Sequence, residues 1–434
     1  MTHQHLSDAP VTAQAYGLLF PGLPPLVTDE SFIDRLGNIG GPCDGSDGAA
    51  DPERDDAREA AGSPFFGQFV AHDITADRSA LAPHSDVEAL RNARRQKLDL
   101  EGLYGAGPVG DPFLYDARDS AKLLIGDDDL QRNVQGTAII GDPRNDSHLF
   151  MSQMHLLMAR FHNAVVDWLS DKRFATAQQL VRWHYQWIVL HDFLPGLIGP
   201  ALATELVESG PTYYNPVDEP YVPLEFAHAA YRYGHGQIRS RYQVNAATAA
   251  PLFPDFIGFR PVERSHVVDW AYLFDLPGRA PAPRARKIDG RLPRSLMRLP
   301  EAITGAVANS AQRALSVRDL QRGQACALAS GETIARHLGV EPLTRDQVGL
   351  RAMGWAGETP LWYYILREAA VAGNGDQLGP VGGRIVGEVL AGLLDHDPQS
   401  FRVMNPTWRP VLPSAVAGEF TIADLVVFAE GRAT

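Results

Sequence analysis

Cysteine is nearly absent. The 434 residues contain 2, Cys43 and Cys326, so there is no disulfide framework and one bond at most could form. Long apolar runs are missing, and no segment reaches membrane-spanning length. Met1 to Gly17 lack the basic start and apolar core of a secretory leader. Basic charge is in deficit. The 39 Lys and Arg face 52 Asp and Glu, for a net charge of −13. That balance argues against a general nucleic-acid surface or an anionic-membrane surface. No internal repeat is evident. The expectation from these absences is a cytoplasmic protein that engages neither nucleic acid nor membrane.

What the chain does have is apolar bulk. Hydrophobic residues make up 45% of it, enough for a large core. One stretch stands out, Ser63-Pro64-Phe65-Phe66-Gly67-Gln68-Phe69-Val70-Ala71-His72-Asp73-Ile74-Thr75. It predicts a helix, with Ser63 as N-cap and Pro64 at the first helical position. Phe65, Phe66, Phe69 and Val70 recur at helical spacing. Gln68 and His72, four apart, share a face. By burial habit alone this is a core helix carrying one satisfied histidine.

The neighbouring segments are mixed. Residues 1 to about 30 are polar, then Pro-rich, and are expected along the surface. Residues 37–62, with acids at Asp51, Glu53, Asp55, Asp56 and Glu59, predict a mobile loop or a fringe of helix. Charges crowd a short predicted helix over 85–100, and another runs from Leu98 toward Gly105. Gly141-Asp142-Pro143-Arg144-Asn145-Asp146-Ser147 then leads into a predicted helix from His148 to Ser170. Its Phe150, Met154, Leu157, Met158, Phe161, Val165 and Trp168 follow the 3.6-residue period of a core-facing stripe. A further helix is expected from Ala175 to Phe193, ending before Pro195. Phe226 to Gly236 predicts one short helix with room around His235. Helices return over 315–337, 344–353, 360–371 and 380–395. Residues 277–294 collect Arg279, Arg284, Arg286, Lys287, Arg291 and Arg294. Such a run is either a solvated loop or the lining of a channel for an acidic substrate.

Taken in order, these segments resemble the animal-type haem peroxidases of the peroxidase–cyclooxygenase superfamily, in particular its bacterial members. Gln68-Phe69-Val70-Ala71-His72-Asp73 is similar to the family's distal helix motif. Asp142-Pro143-Arg144, followed by Met154-His155 and Phe161-His162-Asn163, resembles the segment of the distal arginine. Arg232-Tyr233-Gly234-His235 resembles the segment of the proximal iron ligand. Leu315 to Gly323 resembles the helix beside the proximal side, and Phe420 to Val426 the C-terminal end.

The resemblance implies a mainly α, single-domain fold with little β and with haem b between distal and proximal helices. An N-terminal extended or loop segment would cover 1–62 and the catalytic domain 63–434. It implies a peroxidase that uses hydrogen peroxide to oxidise a small organic reductant, phenolic, aromatic or a secondary metabolite, through a ferryl intermediate. The alternative on the same fold is a haem oxygenase or dioxygenase acting on a lipid or metabolite. His72, Arg144 and Gln68 would be catalytic. His235 would ligate the iron, with Asp319 and Arg232 beside the cofactor. Chemically, the distal histidine suits a proton carrier, and a permanent cation suits charge developing on a leaving oxygen.

The departures carry expectations too. Mammalian members have carboxylates, ester-linked to haem, where this chain has Ala71 and Ser147, and one has a haem-linking Met at the position of His148. Haem is therefore expected to be held without covalent bonds. The proximal partner, usually Asn, aligns with Asp319, although the adjacent Arg318 could be the residue that faces the haem. The cyclooxygenase pattern puts a radical-forming Tyr three residues before the ligand, where this chain has Arg232 flanked by Tyr231 and Tyr233. Asp73 matches one calcium-ligand position. Asp99 and Glu101, with the carbonyls of Arg95 and Lys97, could complete a calcium site; Arg95 and Lys97 make an ion-free salt-bridge version equally open.

Overall fold

Helices carry the architecture of this computed structural model, which describes residues 14–46, 56–77, 90–307 and 309–431. Those of eight residues or more are α1 (Glu30–Gly37), α2 (Ser63–Ile74), α3 (Leu149–Trp168), α4 (Phe174–Ile188), α5 (Pro200–Ser209), α6 (Leu315–Ala325), α7 (Leu361–Ala372), α8 (Pro380–Asp395) and α9 (Ile422–Ala429). The strands among the described residues are short antiparallel pairs. Gln14–Ala15 pairs with Arg91–Asn92, Asp56–Ala60 with Arg284–Arg286, and Arg241–Gln243 with Ala249–Pro251. The mainly α expectation holds.

The core is built around α3. Phe150, Met154, Leu157, Met158, Phe161 and Val165 are all buried on it, as the 3.6-residue stripe requires. Trp168 departs from the stripe. It is 47% exposed at the final residue of the helix, although Val165 and Val166 in the same turn are fully buried. Against α3 lies α2, whose Phe65 stacks on Phe150 at 4.3 Å between ring centroids. Phe66 and Phe69 both reach Tyr185 of α4 edge-on. A helix apolar on most of its surface is one that others surround.

Several local expectations are corrected. Ser63 is not the N-cap of α2; Gly62 is, and Ser63 opens the helix with its hydroxyl bonded to Glu59 Oε2 at 3.3 Å. Pro64 still falls in the first turn, where its missing N–H costs nothing. No helix forms in the described residues 90–100. The Asn92 side chain accepts from Ala76 N and donates to Ile74 O, which ties this stretch to the end of α2 instead, and it also accepts from Arg94 N within the stretch. Residues 85–89, like Asp51, Glu53 and Asp55, lie outside the described residues. Helix α4 does not stop before Pro195. The backbone widens into a π-turn over Val189–Phe193 and continues as Leu194–Ile198, with Pro195 at a first-turn position that needs no donor.

Phe226 to Gly236 is two pieces, an α-turn at Leu224–His228 and a 3-10 run at Ala230–Gln237. Within residues 1–62, α1 buries Phe32, Ile33 and Leu36, so that segment carries more regular structure than a loop. Cys43 and Cys326 are both buried and unpaired. The basic stretch is a set of ion pairs, Arg279–Asp269, Arg284–Asp275 and Arg286–Asp289. None of its basic residues borders the cavity described next, which favours the solvated reading.

Candidate active site

One cavity of about 320 Å³ opens between α2 and the 3-10 run Ala230–Gln237, a volume in the range of small-molecule and cofactor sites. Gln68 and His72 of α2 border it on one side, together with Arg144. Arg232 and His235 border it on the other. Three segments distant in sequence thus converge as the motifs suggest.

His72 is presented by the last turn of α2. Its Nδ1 lies 2.7 Å from Asn145 Oδ1. An amide oxygen only accepts, so the ring proton sits on Nδ1 and Nε2 carries the lone pair. Burial, reinforced by the charge of Arg144, lowers the His72 pKa to about 4. The ring is neutral at neutral pH.

Arg144 is fixed by the Asp-Pro turn that precedes it. Asp142 accepts from its backbone N–H at 3.0 Å, and from Nε and Nη2 at 3.1 and 2.6 Å. Nη2 also donates to the His72 carbonyl at 2.9 Å. Burial opposes charge on Asp142, but the hydrogen bond and charge of Arg144, joined by Arg94 at 2.7 Å, hold its carboxyl well below the usual range. A bidentate fork of this kind fixes a guanidinium in direction as well as place.

Gln68 is held by His148, whose Nε2 lies 3.0 Å from Gln68 Oε1. Burial lowers the His148 pKa to about 3, so that ring too is neutral. Ala71 and Ser147, with His148, border the same cavity.

Across the cavity His235 uses Nδ1 on Asp319 Oδ2 at 2.6 Å. Its Nε2 has no hydrogen-bond partner among the described residues. Asp319 is fully buried in α6. Burial works against its charge, yet His235, then Arg232 and Arg322, keep its carboxyl below the ordinary value. Arg232 Nη1 lies 3.1 Å from Asp319 Oδ1. Arg318 instead donates to the Gln312 carbonyl at 3.4 Å. Asp319, not Arg318, is the partner of His235.

The residues suit a flat iron-bearing group. His235 offers a free ring nitrogen to the cavity with its other nitrogen tied to a carboxylate, the arrangement that orients a metal-binding imidazole. Gly234 beside it has open space where a Cβ would stand. Around Asp73, whose buried Oδ1 has no hydrogen-bond partner among the described residues, the neighbouring carboxylates are already engaged. Asp73 Oδ2 accepts from Leu100 N at 3.1 Å, while Asp99 and Glu101 both pair with Arg95, at 3.3 and 3.5 Å. Among the described residues no three His, Cys, Asp or Glu side chains converge on a metal-sized site.

Sequence reasoning did not single out Asn145 as a partner of His72, or His148 as a partner of Gln68. Their signal was position alone, one and four residues after Arg144.

Comparison with known proteins finds peroxidases and solved structures of the same fold. The family model "Animal haem peroxidase" matches residues 82–252, which include Arg144 and His235. "Peroxidase skpo-1" of Caenorhabditis elegans is 28% identical over 224 residues, 41% of this chain and 34% of that protein. "Thyroid peroxidase" of Canis lupus familiaris is 27% identical over 199 residues, 40% of this chain and 21% of that protein. The chain thus spans about a third or less of these curated relatives' length. Among solved structures, Peroxidase A from Dictyostelium discoideum superposes with a TM-score of 0.65 at 15% identity, over 90% of this chain and 89% of that one. A fatty acid alpha-dioxygenase of Arabidopsis thaliana does so at 0.59 and 14%, over 89% and 73%. These likenesses show a shared fold.

Proposed function

We propose that this chain is a haem peroxidase of the peroxidase–cyclooxygenase superfamily, which uses hydrogen peroxide to oxidise a small organic reductant. The observation that carries the reading is the opposition of two histidines across one cavity. His72 faces it with a neutral, unencumbered Nε2; His235 faces it with Nδ1 held by a buried carboxylate.

His235 Nε2 would hold the iron, with Asp319 and Arg232 behind it. Bound haem would supply the redox-active iron that peroxide oxidises. The remaining work falls to the chain. His72 Nε2 accepts the proton of hydrogen peroxide and returns it to the departing oxygen, the double role of a general base and acid. The Arg144 guanidinium faces the charge that gathers on that oxygen. Gln68 orients the peroxide or a water by hydrogen bonding. Ala71 and Ser147 offer no carboxylate to esterify, and His148 no thioether, so haem b would be held by His235 and contact alone. Asp99 and Glu101, beside Asp73, serve as ion-pair partners of Arg95.

Ile238, Leu252, Phe253, Leu296, Leu299 and Ile303 also border the cavity. An electron-rich phenol or other aromatic molecule suits such a wall and gives up electrons singly. One observation favours an oxygenase as the second reading: Tyr231 and Tyr233 border the cavity, where a tyrosyl radical could form.

The test is an absorption spectrum of the purified protein before and after stoichiometric hydrogen peroxide. A Soret band that shifts within seconds and returns when a phenol is added supports the peroxidase. A Soret band indifferent to peroxide, with dioxygen uptake on a lipid, supports the oxygenase. No Soret band after haem reconstitution overturns both.

A further inference from the structure

Behind the distal side lies a hydrogen-bonded row of three side chains, His72, Asn145 and His155, of which the mechanism above uses only the first. We propose that His155 is a positioning residue that acts through Asn145 to keep the ring proton of His72 on Nδ1, leaving Nε2 as the nitrogen free to take a proton in the cavity. The inference rests on the peroxidase reading for its catalytic meaning, but the arrangement of protons it states is independent of haem.

The geometry is a clamp. Asn145 is 3% exposed and His155 4%, so neither exchanges partners freely with bulk water. Asn145 Oδ1 stands 2.7 Å from His72 Nδ1, and its Nδ2 stands 3.1 Å from His155 Nδ1. An amide has one accepting end and one donating end. With Oδ1 toward His72, that ring must carry its proton on Nδ1, and His155 must accept at Nδ1 and carry its own proton on Nε2. Turn the amide over and both rings change together. Nδ2 would donate to His72 Nδ1, the His72 proton would move to Nε2, and that nitrogen could no longer accept a proton from anything in the cavity. The two tautomers are therefore locked in opposition, and the state of His155 is the state of His72.

His155 suits the task. Burial lowers its pKa to about 4, so at neutral pH it is an uncharged ring with one acceptor and one donor. Were it charged, both nitrogens would donate and the amide would have to turn. It also borders a second cavity, of about 10 Å³, with room for about one water and separate from the one that Gln68 and His72 border. Removing the acceptor at position 155 leaves the donating end of Asn145 unanswered in the interior. Both amide orientations then become available, and only one of them leaves His72 a base.

The experiment reads the tautomers directly, by nitrogen NMR of the full chain labelled with ¹⁵N-histidine, the two rings being assigned by loss of signal in His72→Gln and His155→Gln. The expected result is His72 protonated on Nδ1 and His155 on Nε2. In His155→Leu, the His72 signals should shift toward a mixture of tautomers. In His155→Asn, whose side-chain oxygen can take the place of Nδ1, they should return to the Nδ1 form. On haem-loaded protein, association of cyanide, which arrives as the acid and must surrender its proton to a base, should slow about tenfold in His155→Leu and stay within about threefold of wild type in His155→Asn. A His72 ring protonated on Nε2 in the wild-type chain overturns the proposal, as does an unchanged His72 tautomer in His155→Leu. If His155→Leu does not fold, the wild-type and His155→Asn spectra decide in the same terms. A chain that binds no haem yet shows the opposed tautomers would sink the proposed function and leave this arrangement standing.

Discussion

Asp319 and His235 meet through a hydrogen bond of 2.6 Å although 84 residues separate them in the chain. A buried, ionised carboxylate on Nδ1 pushes the imidazole toward imidazolate and makes its other nitrogen a stronger donor to a metal.

Asp319→Asn should therefore keep the hydrogen bond and lose the charge. We expect haem still to bind and its reduction potential to rise by roughly 60 mV or more, a tenfold change in a one-electron equilibrium. A redox titration followed by the Soret band measures this. An unchanged potential would mean that Asp319 does not govern His235.

His72→Ala should leave haem bound and slow reaction with peroxide by about 10²–10⁴-fold, the range for loss of a positioned base. In the wild-type chain the same rate should depend on pH through His72. Burial lowers its pKa to about 4, so the neutral, active ring predominates above that value. The rate should be flat near neutrality and fall as pH drops through about 4. Stopped-flow absorbance across pH 3–8 checks both, provided that haem stays bound at the acid end. A peroxide rate unaltered in His72→Ala refutes the base assignment.

Stability should depend on Glu368. Its carboxylate caps the start of α8, accepting from Val381 N at 3.0 Å and Gly382 N at 3.1 Å. Burial nevertheless raises its pKa to about 7. A carboxyl whose folded pKa exceeds its unfolded value favours folding fully below the unfolded value, and that contribution is lost as pH rises through the folded one. Stability in urea should thus fall between about pH 4.5 and 7, by at most roughly 3 kcal/mol in free energy over that whole window, and level off above it. Asp192, raised to about 6 by burial, acts in the same direction but mostly at lower pH. Glu368→Gln should flatten the segment between pH 6 and 7, above the range of Asp192, and a slope that survives there would place its origin elsewhere.

Chelation should change nothing. Asp99 and Glu101 are engaged by Arg95, so treatment with EDTA followed by desalting should leave the thermal midpoint within about 1 °C, less than the shift of a 1 kcal/mol loss. A larger drop, restored by added calcium, would reinstate a calcium site around Asp73.

Much of this could be read before any tertiary structure. The helix of Phe65, Phe66, Phe69 and Val70 and the stripe on α3 follow from spacing and residue type, because helical periodicity is local; the convergence of His72, Arg144 and His235 was implied only by the resemblance to the haem peroxidases. The errors were local as well. Ser63 was displaced as a cap by Gly62, and the charge-rich residues 90–100 were drawn out of helix by Asn92, whose bonds reach the end of α2.

The sequence by itself determined the helical class, and its resemblance to the haem peroxidases pointed to the residues that border the cavity from two sides. Only the tertiary structure decided which neighbour serves them. It set Asp319 rather than Arg318 on His235, Asn145 on His72, His148 on Gln68 and Arg95 on the acids near Asp73. Most of these pairings join segments about 70 to 90 residues apart. Their choice depends on which way a buried polar group must turn to find its one available partner, and no local spacing records that.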